Sequence, residues 1–271
     1  RIQAVELDNI TGTILSQLYP DAEVHIQGFE KTRIAPGSVD LAITNVPFVT
    51  GLSVHDNTGN SDLSSRFKNI HDFCIAKNVR SLAPKGLGVF ITSSGTMDKS
   101  LDLLKWLGQT SGGNVDVLGA FRLNNSTFVG AAVTSDIIIV RKRESKGAAP
   151  LSGAIDISSV ATAKIVSNTE LDKNGKWVDR EYPLVYNSYF LSHPEMMGGE
   201  MKFAFDEGET YRASSTALYP TISINQGEAL GKWVKSFKKI DLASSSTENL
   251  GARLSSSEEI KGYKLGEIFV R

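Results

Sequence analysis

The sequence predicts an α/β fold over its first 143 residues, followed by a smaller α+β region. Short apolar strands alternate with amphipathic helices from residue 1 to residue 143, which is typical of a sheet covered by helices. Beyond residue 146 the pattern changes to short strand-like pieces around polar turns. With 271 residues, the chain is long enough for one large or two modest domains with proper cores.

Six strands and three helices are expected in the first part. The strands are apolar runs at residues 1–5, 24–26, 39–44, 88–92, 114–121 and 137–140. Asp8 can cap the first helix, which carries its apolar residues on one face: Ile10, Ile14, Leu15 and Leu18. The second helix is predicted from the spacing of Leu63, Phe67, Ile70 and Cys74, and the third spans residues 101–107.

The second part begins after a small-residue connector that contains proline, at residues 148–153. We therefore predict two domains, 1–146 and 147–271. Short strands are expected at 154–157, 164–166 and 177–178, and a helix carries Leu230, Trp233, Val234 and Phe237. A Ser-rich linker comes next at 244–246, and residues 263–271 resemble a hairpin that stops midway.

Composition limits the possible functions. A net charge of −1 argues against nucleic-acid binding through bulk charge, so any DNA contact needs a local basic surface. The single cysteine, Cys74, excludes an internal disulfide framework and a cysteine-cluster metal site, and it fits a reducing cytoplasm. No apolar run is long enough to predict a membrane span, and no pair of metal ligands has a useful spacing.

The strongest functional signal comes directly after the third strand, where Asn45, Val46, Pro47 and Phe48 stand in a row. These residues resemble the catalytic loop of amino-methyltransferases that use S-adenosylmethionine. That loop has Asp, Asn or Ser, then usually Pro, then Pro, then an aromatic residue. Three places match, and Val46 stands where the loop usually has its first proline. The plainer alternative is a strand that ends in an Asn-initiated turn with a core phenylalanine.

The resemblance implies a specific chemistry for this loop. An exocyclic amino group on adenine is a poor nucleophile because its lone pair is delocalised into the ring. The side-chain oxygen of Asn45 and the backbone carbonyl of Val46 would accept its two hydrogens and stabilise the developing positive charge. Pro47 has no N–H to compete, and it biases Val46 towards an extended conformation. Phe48 would stack on a base that has swung out of the helix.

The order of elements over residues 1–143 resembles the adenine-specific N6 DNA methyltransferase family, whose fold is a seven-stranded Rossmann-like sheet. By that resemblance, Glu6 binds the ribose of the cofactor S-adenosylmethionine, and Leu7 lies beside the cofactor adenine. The family usually has Asp-Phe where this chain has Gly28 and Phe29, so the contact of the acid with the adenine amino group either moves to Glu30 or is lost. Phe128 matches the aromatic residue that packs on the other face of the flipped adenine.

The same resemblance implies that the first strand and the glycine-rich loop of the family should precede Arg1. We therefore expect a fragment of a longer polypeptide that is inactive by itself, with DNA as its partner. The stretch at 189–196 is similar to the region after the methyltransferase part in very large methylase–helicase polypeptides of phages and conjugative elements. A helicase domain of the same parent chain is thus a candidate second partner.

Other functions fit part of the pattern. Gly28 and Val46 leave open a catalytically degenerate module that binds DNA for a neighbouring helicase. The same loop occurs in methyltransferases that act on protein glutamine or on RNA bases. A nicotinamide dehydrogenase would explain Glu6 and the sheet, but it gives no reason for the Asn45–Phe48 loop.

Overall fold

A computed structural model describes residues 1–48, 53–171, 174–205 and 213–237. The chain divides into two compact units, Arg1–Trp233 and Val234–Arg271. The predicted linker at 244–246 and the predicted hairpin at 263–271 lie outside the described residues. No helix within the described ranges combines the length and the apolar character that crossing a membrane requires.

The elements up to residue 142 alternate between strands and helices, as the sequence predicts. In chain order they are β1 (Gln3–Glu6), α1 (Asn9–Leu18), β2 (Glu23–Ile26), a 3-10 turn (Phe29–Lys31), β3 (Val39–Asn45), α2 (Ser61–Arg66), α3 (Ile70–Ser81), β4 (Leu82–Ser93), α4 (Ser94–Lys99), α5 (Leu101–Gly108), β5 (Val115–Leu123) and β6 (Ser135–Lys142).

The later elements are longer strands than the sequence predicts, together with short helices. They are β7 (Val160–Leu171), β8 (Trp177–Asn187), α6 (Ser188–Ser192), a second 3-10 turn (Pro194–Met196), β9 (Glu200–Phe205), β10 (Ala213–Tyr219) and α7 (Gln226–Ser236). The short strands expected at 164–166 and 177–178 belong to one antiparallel hairpin, β7–β8. Residues 154–157 are not a strand.

The central sheet is mixed, with the order β3-β4-β6-β5. Strands β3 and β4 are parallel, whereas β6 runs antiparallel to both β4 and β5. Strands β1 and β2 form a separate parallel pair. Among the described strands, β1 is hydrogen-bonded only to β2, and the only partner of β3 is β4. This architecture is Rossmann-like α/β, so the predicted fold class is confirmed.

One hydrophobic core joins the central sheet to the residues after it. Strand β5 is buried along its whole length, and the N–H of Ile155 donates to the carbonyl of Val117 (2.9 Å). The side-chain amide of Asn187 donates to the carbonyls of Met97 and Ile157, at 2.8 Å each. The domain boundary predicted near residue 146 therefore falls inside the first compact unit.

The helix predicted from Leu63 to Cys74 is in fact two helices. Helix α2 ends at Arg66, and the next residue, Phe67, is extended (φ −100°, ψ 96°). Helix α3 begins after Asn69, which is also extended (φ −78°, ψ 134°). The break turns the ring of Phe67 onto Trp106, with centroids 5.4 Å apart. The apolar spacing continues across the break, which is why the pattern alone predicts a single helix.

Helix α1 begins as predicted, because the carboxylate of Asp8 accepts from the N–H of Thr11 at 2.7 Å. Its contact with β2 runs through Gly12, where an added Cβ would lie 2.8 Å from Cγ1 of Ile26. The apolar face that includes Ile10 and Leu18 is exposed, at 72% for Ile10. Glycine, rather than the apolar face, therefore makes the close approach to the strand.

Candidate active site

The predicted site residues come at the carboxyl ends of parallel strands, which is where Rossmann-like sheets bind their ligands. Strand β1 ends at Glu6, and Leu7 is the next residue. The turn that carries Phe29 and Glu30 comes after the end of β2. Asn45 is the last residue of β3, opposite Ile91 on β4.

Val46 anchors the loop after β3. Its side chain is only 1% exposed and lies in the hydrophobic core. Its N–H donates to the carbonyl of Ile91 at 2.9 Å, which extends the β3–β4 ladder past the strand. A proline at this place would have no N–H to donate. The valine at this position therefore has a structural reason.

Asn45, Pro47 and Phe48 are exposed on the loop that Val46 anchors. Within the described part of the chain, the side chain of Asn45 makes no hydrogen bond. Its amide oxygen can therefore accept from an incoming donor without breaking an existing contact. The side chain of Phe48 is 36% exposed, so one part of its ring packs against the protein and the rest is accessible to solvent.

The held part of Phe48 contacts His71 in the first turn of α3. The two rings meet edge to face, with centroids 6.4 Å apart and planes at 74°. Burial lowers the pKa of His71 and raises the pKa of the neighbouring Asp72, so it favours the neutral form of each.

The contact between His71 and Phe48 is not among the features predicted from the sequence. The order of the strands and helices along the chain could have indicated this contact. Helix α3 connects the parallel strands β3 and β4, so it begins at the edge where β3 ends. Residues in its first turn are therefore near the Asn45–Phe48 loop, although more than twenty positions separate them in the chain. Cys74, further along α3, is buried, which raises the pKa of its thiol to about 12.

The turn after β2 brings Glu30 back over Gly28. A Cβ built on Gly28 would clash with Oε1 of Glu30. The carboxylate therefore fills the space that a side chain at position 28 would need. Phe29 is half-buried, and its carbonyl accepts from Nζ of Lys77 at 2.7 Å. An acid is thus present at this turn, although it comes from position 30.

Glu6 and Leu7 lie at the end of β1. Oε1 of Glu6 accepts from the N–H of Asp8 at 2.9 Å, which holds the half-buried carboxylate close to the start of α1. Leu7 is 75% exposed. No hydrogen bond or ion pair between described residues joins Glu6 to the Asn45–Phe48 loop, so the structure does not bring these two predicted groups into contact.

Phe128 lies in the connection between β5 and β6. It is half-buried and forms an isolated bridge with Ala131, whose N–H donates to the carbonyl of Phe128 at 3.2 Å. Asn124 anchors the start of this connection, since its side-chain amide donates to the carbonyl of Gly198 at 2.8 Å. Among the described residues, no ring contact joins Phe128 to Phe48.

The sheet and the position of these side chains define a Rossmann-like α/β protein with a candidate site at the carboxyl ends of its strands. No protein-family profile matches the chain. Over 183 residues, the chain is 25% identical to the defense against restriction protein B of Escherichia phage P1. The match covers 66% of this chain and only 8% of that protein.

Several solved structures resemble the chain at low sequence identity. The modification subunit of a putative type I restriction enzyme from Vibrio vulnificus has a TM-score of 0.47 and 12% identity, and the match covers 86% of this chain and 41% of that one. The EcoKI M protein has a TM-score of 0.39 and 12% identity, with coverages of 96% and 61%. A putative class I S-adenosylmethionine-dependent methyltransferase from Listeria monocytogenes has a TM-score of 0.39 and 15% identity, with coverages of 58% and 59%.

Proposed function

We propose that this chain belongs to an enzyme that transfers a methyl group from S-adenosylmethionine to the N6 amino group of adenine in DNA. The observation that carries the proposal is the exposed Asn45 at the end of β3, with Val46 anchored in the core and Phe48 partly open. This arrangement offers the amide oxygen of Asn45 and part of one aromatic ring at a strand end that is anchored in the core. It matches the requirements for methylation of an exocyclic amino group.

Each loop residue has a distinct task in this proposal. The amide oxygen of Asn45 and the carbonyl of Val46 accept the two amino hydrogens, so the nitrogen lone pair points at the methyl donor. Positive charge would develop on the nitrogen as the methyl group passes to it from the sulfonium sulfur of S-adenosylmethionine, which would leave as the neutral thioether. Both acceptors would stabilise this charge, and one amino proton would then be released to water. Phe48 stacks on the flipped adenine, while His71 holds one edge of the Phe48 ring. Phe128 is proposed to pack on the other face of the base.

The residues at the ends of β1 and β2 fit the proposed cofactor. S-adenosylmethionine supplies an electrophilic methyl group. Glu6 would accept from its ribose hydroxyls, and Leu7 and Phe29 would pack against its adenine. The carboxylate of Glu30, which fills the space at Gly28, would accept from the adenine amino group. Leu7 is 75% exposed beside the Glu6 carboxylate. Such exposure of an apolar side chain is expected in the free protein if a ligand ring covers it in the bound state.

One face of β3 is exposed, and one of its edges has no hydrogen-bonded strand among the described residues. Leu41 and Ile43 lie on one face of β3 and are 53% and 60% exposed. On the side away from β4, β3 has no hydrogen-bonded neighbour among the described strands. We propose that a further parallel strand lies between β1 and β3 in the active enzyme. Residues 1–271 by themselves would then hold only part of the cofactor pocket and would be inactive.

A degenerate DNA-binding module that serves a neighbouring helicase domain is the alternative. This alternative depends on Val46 and Gly28, the two residues that differ from the methyltransferase pattern. Each difference has a structural explanation. Val46 provides a hydrogen bond that proline could not make, and Glu30 supplies the acid that Gly28 lacks. Methyl transfer is therefore favoured.

The test is transfer of tritiated methyl groups to duplex DNA by the full-length natural protein. We expect the label in N6-methyladenine after enzymatic digestion of the DNA. A substrate whose adenines already carry an N6 methyl group should take up far less label. RNA and protein substrates are offered in parallel reactions. Label in cytosine, in RNA or in protein glutamine, with none in the adenine of DNA, would overturn the proposal.

The first prediction concerns the cofactor. Glu6→Ala in the full-length protein should weaken S-adenosylmethionine binding roughly 10- to 150-fold, because hydrogen bonds to a charged group contribute about 1.5–3 kcal/mol. Titration calorimetry measures the dissociation constant. Glu23→Ala on the adjacent strand β2 is the matched control and should bind normally. Equal affinity for both variants would remove Glu6 from the cofactor site.

The second prediction concerns the target base. If Phe48 and Phe128 sandwich a flipped adenine, each change to alanine should weaken base capture by about 1–3 kcal/mol. The fluorescence of 2-aminopurine placed at the target position rises when the base leaves the stack, so it reports capture. Val129→Ala is the control, because Val129 is next to Phe128 and its side chain is exposed. A signal unchanged by Phe128→Ala would reassign that ring to local packing.

A further inference from the structure

Lys77, in the middle of α3, is a buried cation whose partners come from two different loops. Its side chain is 1% exposed, and Asp56, the carboxylate it binds, is 0% exposed. The ammonium donates to the carbonyl of Phe29 (2.7 Å), to Oδ2 of Asp56 (2.6 Å) and to Oγ1 of Thr58 (3.2 Å). It also lies 4.9 Å from the centroid of the Phe29 ring. An ammonium has three protons, so these contacts use all of them.

The first loop is the turn after β2, where Phe29 and Glu30 are proposed to hold the cofactor adenine. Lys77 fixes this turn twice, through the carbonyl of Phe29 and through the face of its ring. Such a contact restricts the ring more than packing alone, because it sets both the backbone position and the ring plane. The orientation that Phe29 presents to a ligand therefore depends on Lys77.

The second loop is the segment 53–60, on the path of the chain from the Asn45–Phe48 loop to α2. Asp56 organises it, because Oδ1 accepts from the N–H groups of Thr58 (2.7 Å) and Asn60 (3.2 Å) while Oδ2 binds Lys77. Burial raises the pKa of Asp56, but the hydrogen bonds from Lys77 and Thr58 outweigh it and lower the pKa below its usual value. The segment is thus held in place by an ionised carboxylate.

The two loops share one ammonium, so the position of each affects the other. If either loop moves away, Lys77 is left as a buried charge without its full set of partners, which is costly. Binding that orders one loop therefore lowers the free energy needed to order the other. Such coupling is reciprocal, because each ligand must change the affinity of the other by the same factor.

We propose that Lys77 is a positioning residue that couples occupancy of the cofactor site at Phe29 to capture of the target base at the Asn45–Phe48 loop. This inference rests on the proposed function. Lys77 touches neither ligand and acts through the Phe29 carbonyl on one side and through Asp56 and Thr58 on the other. The expected consequence is that cofactor and DNA bind more tightly together than separately.

The experiment compares cofactor affinity with and without DNA in the full-length natural protein. Titration calorimetry with S-adenosylmethionine is done alone and with saturating duplex DNA that contains adenine. The wild type should show coupling of about fivefold or more, within the range usual for linked sites. The double variant Lys77→Met/Asp56→Asn removes both charges together, so it leaves neither one buried and unpaired. In that variant the coupling factor should fall to about one.

Lys142→Met is the matched control. Lys142 is half-buried, and its ammonium donates to the carbonyl of Gly113 (2.6 Å) and to the carbonyl of Val79 (3.3 Å) near the carboxyl end of α3. Its loss should lower the melting temperature and leave the coupling factor unchanged. A merely structural role for Lys77 would give the same result in both variants.

The outcomes separate the two proposals. If the wild type transfers methyl groups and the folded double variant keeps its coupling factor, the inference about Lys77 is wrong and the proposed function stands. If the wild type shows transfer without coupling, the inference is likewise overturned. If the wild type neither binds S-adenosylmethionine nor labels adenine, the proposed function fails and the role of Lys77 fails with it. A double variant that does not fold is replaced by Thr58→Val, which removes one loop-side contact and should lower the coupling factor part of the way.

Discussion

Asn45→Ala is expected to slow methyl transfer by about two to three decades while cofactor affinity stays nearly unchanged. The substitution removes one of the two acceptors for the amino hydrogens, and loss of such a group costs roughly 3–4 kcal/mol of transition-state stabilisation. Asn45 is exposed at the end of β3 and makes no side-chain hydrogen bond within the described residues. The fold should therefore tolerate the change, and the loss should be in catalysis.

The measurement is single-turnover transfer of tritiated methyl groups by the full-length protein, with cofactor binding measured separately by calorimetry. Asn9→Ala, at the exposed start of α1, is the control for the chemical change itself and should leave the rate unchanged. A near-normal rate for Asn45→Ala would contradict the mechanism. Loss of cofactor binding together with the rate would instead place Asn45 in the cofactor pocket.

The Asn45–Phe48 loop could be predicted because its signals are local. The apolar run before it predicts a strand, and Asn and Pro mark the end of that strand. The hydrogen bond from Val46 to Ile91 could not be predicted in the same way, because the two residues are 45 positions apart and meet only when β3 pairs with β4. The structural reason for a valine at position 46 is therefore known only when the pairing of β3 with β4 is known.

Lys77 shows a second limit of sequence reasoning. A lysine on a helix is expected to be solvent-exposed, since lysine is almost never fully buried without a partner. Its partners lie in loops whose positions no periodicity describes: the Phe29 turn and the segment around Asp56. The cation is buried because these loops fold over α3. A charge that is paired only through tertiary structure leaves no pattern in the sequence.

The sequence predicts the β7–β8 hairpin only as fragments. Runs of polar and charged residues interrupt the apolar ones in both strands, and β8 before Leu184 is exposed or half-buried. Such strands have weak apolar runs, so the pattern marks only the short stretches where several apolar residues coincide. Their pairing over eleven positions supplies the stability that the local sequence does not.

Arg122→Met is expected to destabilise the fold by about 3–5 kcal/mol, the usual cost of leaving buried charges without their partner. Arg122 is 0% exposed and lies on β5 between two carboxylates. It donates twice to Asp136 on the paired strand β6 (2.7 and 2.8 Å) and twice to Asp98 in α4 (3.0 and 2.8 Å). Its guanidinium also lies over the ring of Phe190, 4.4 Å from the centroid.

Urea unfolding of the 271-residue chain measures this loss. Arg66→Met is the matched control, because Arg66 and its partner Asp102 are exposed, at 41% and 63%. An exposed pair of this kind contributes about 0–1 kcal/mol, so the control should unfold close to the wild type. A loss from Arg122→Met no larger than the loss from Arg66→Met would show that water reaches Asp98 and Asp136.

The loss should also depend on pH, in a direction that the pKa values set. Burial raises the pKa of Asp136 to about 6, even though the Arg122 guanidinium opposes the shift. Without Arg122 that opposition is gone, and the folded-state pKa should rise further above the unfolded value near 3.9. A carboxyl with a raised pKa in the folded state destabilises the fold when it is ionised, so the loss of stability is full at high pH and decreases as the pH falls through the folded-state pKa.

Arg122→Met should therefore lose less stability relative to the wild type at about pH 5.5 than at about pH 8. A difference that stays constant between these pH values would mean that the loss comes from packing against Phe190, and not from the unpaired carboxylates.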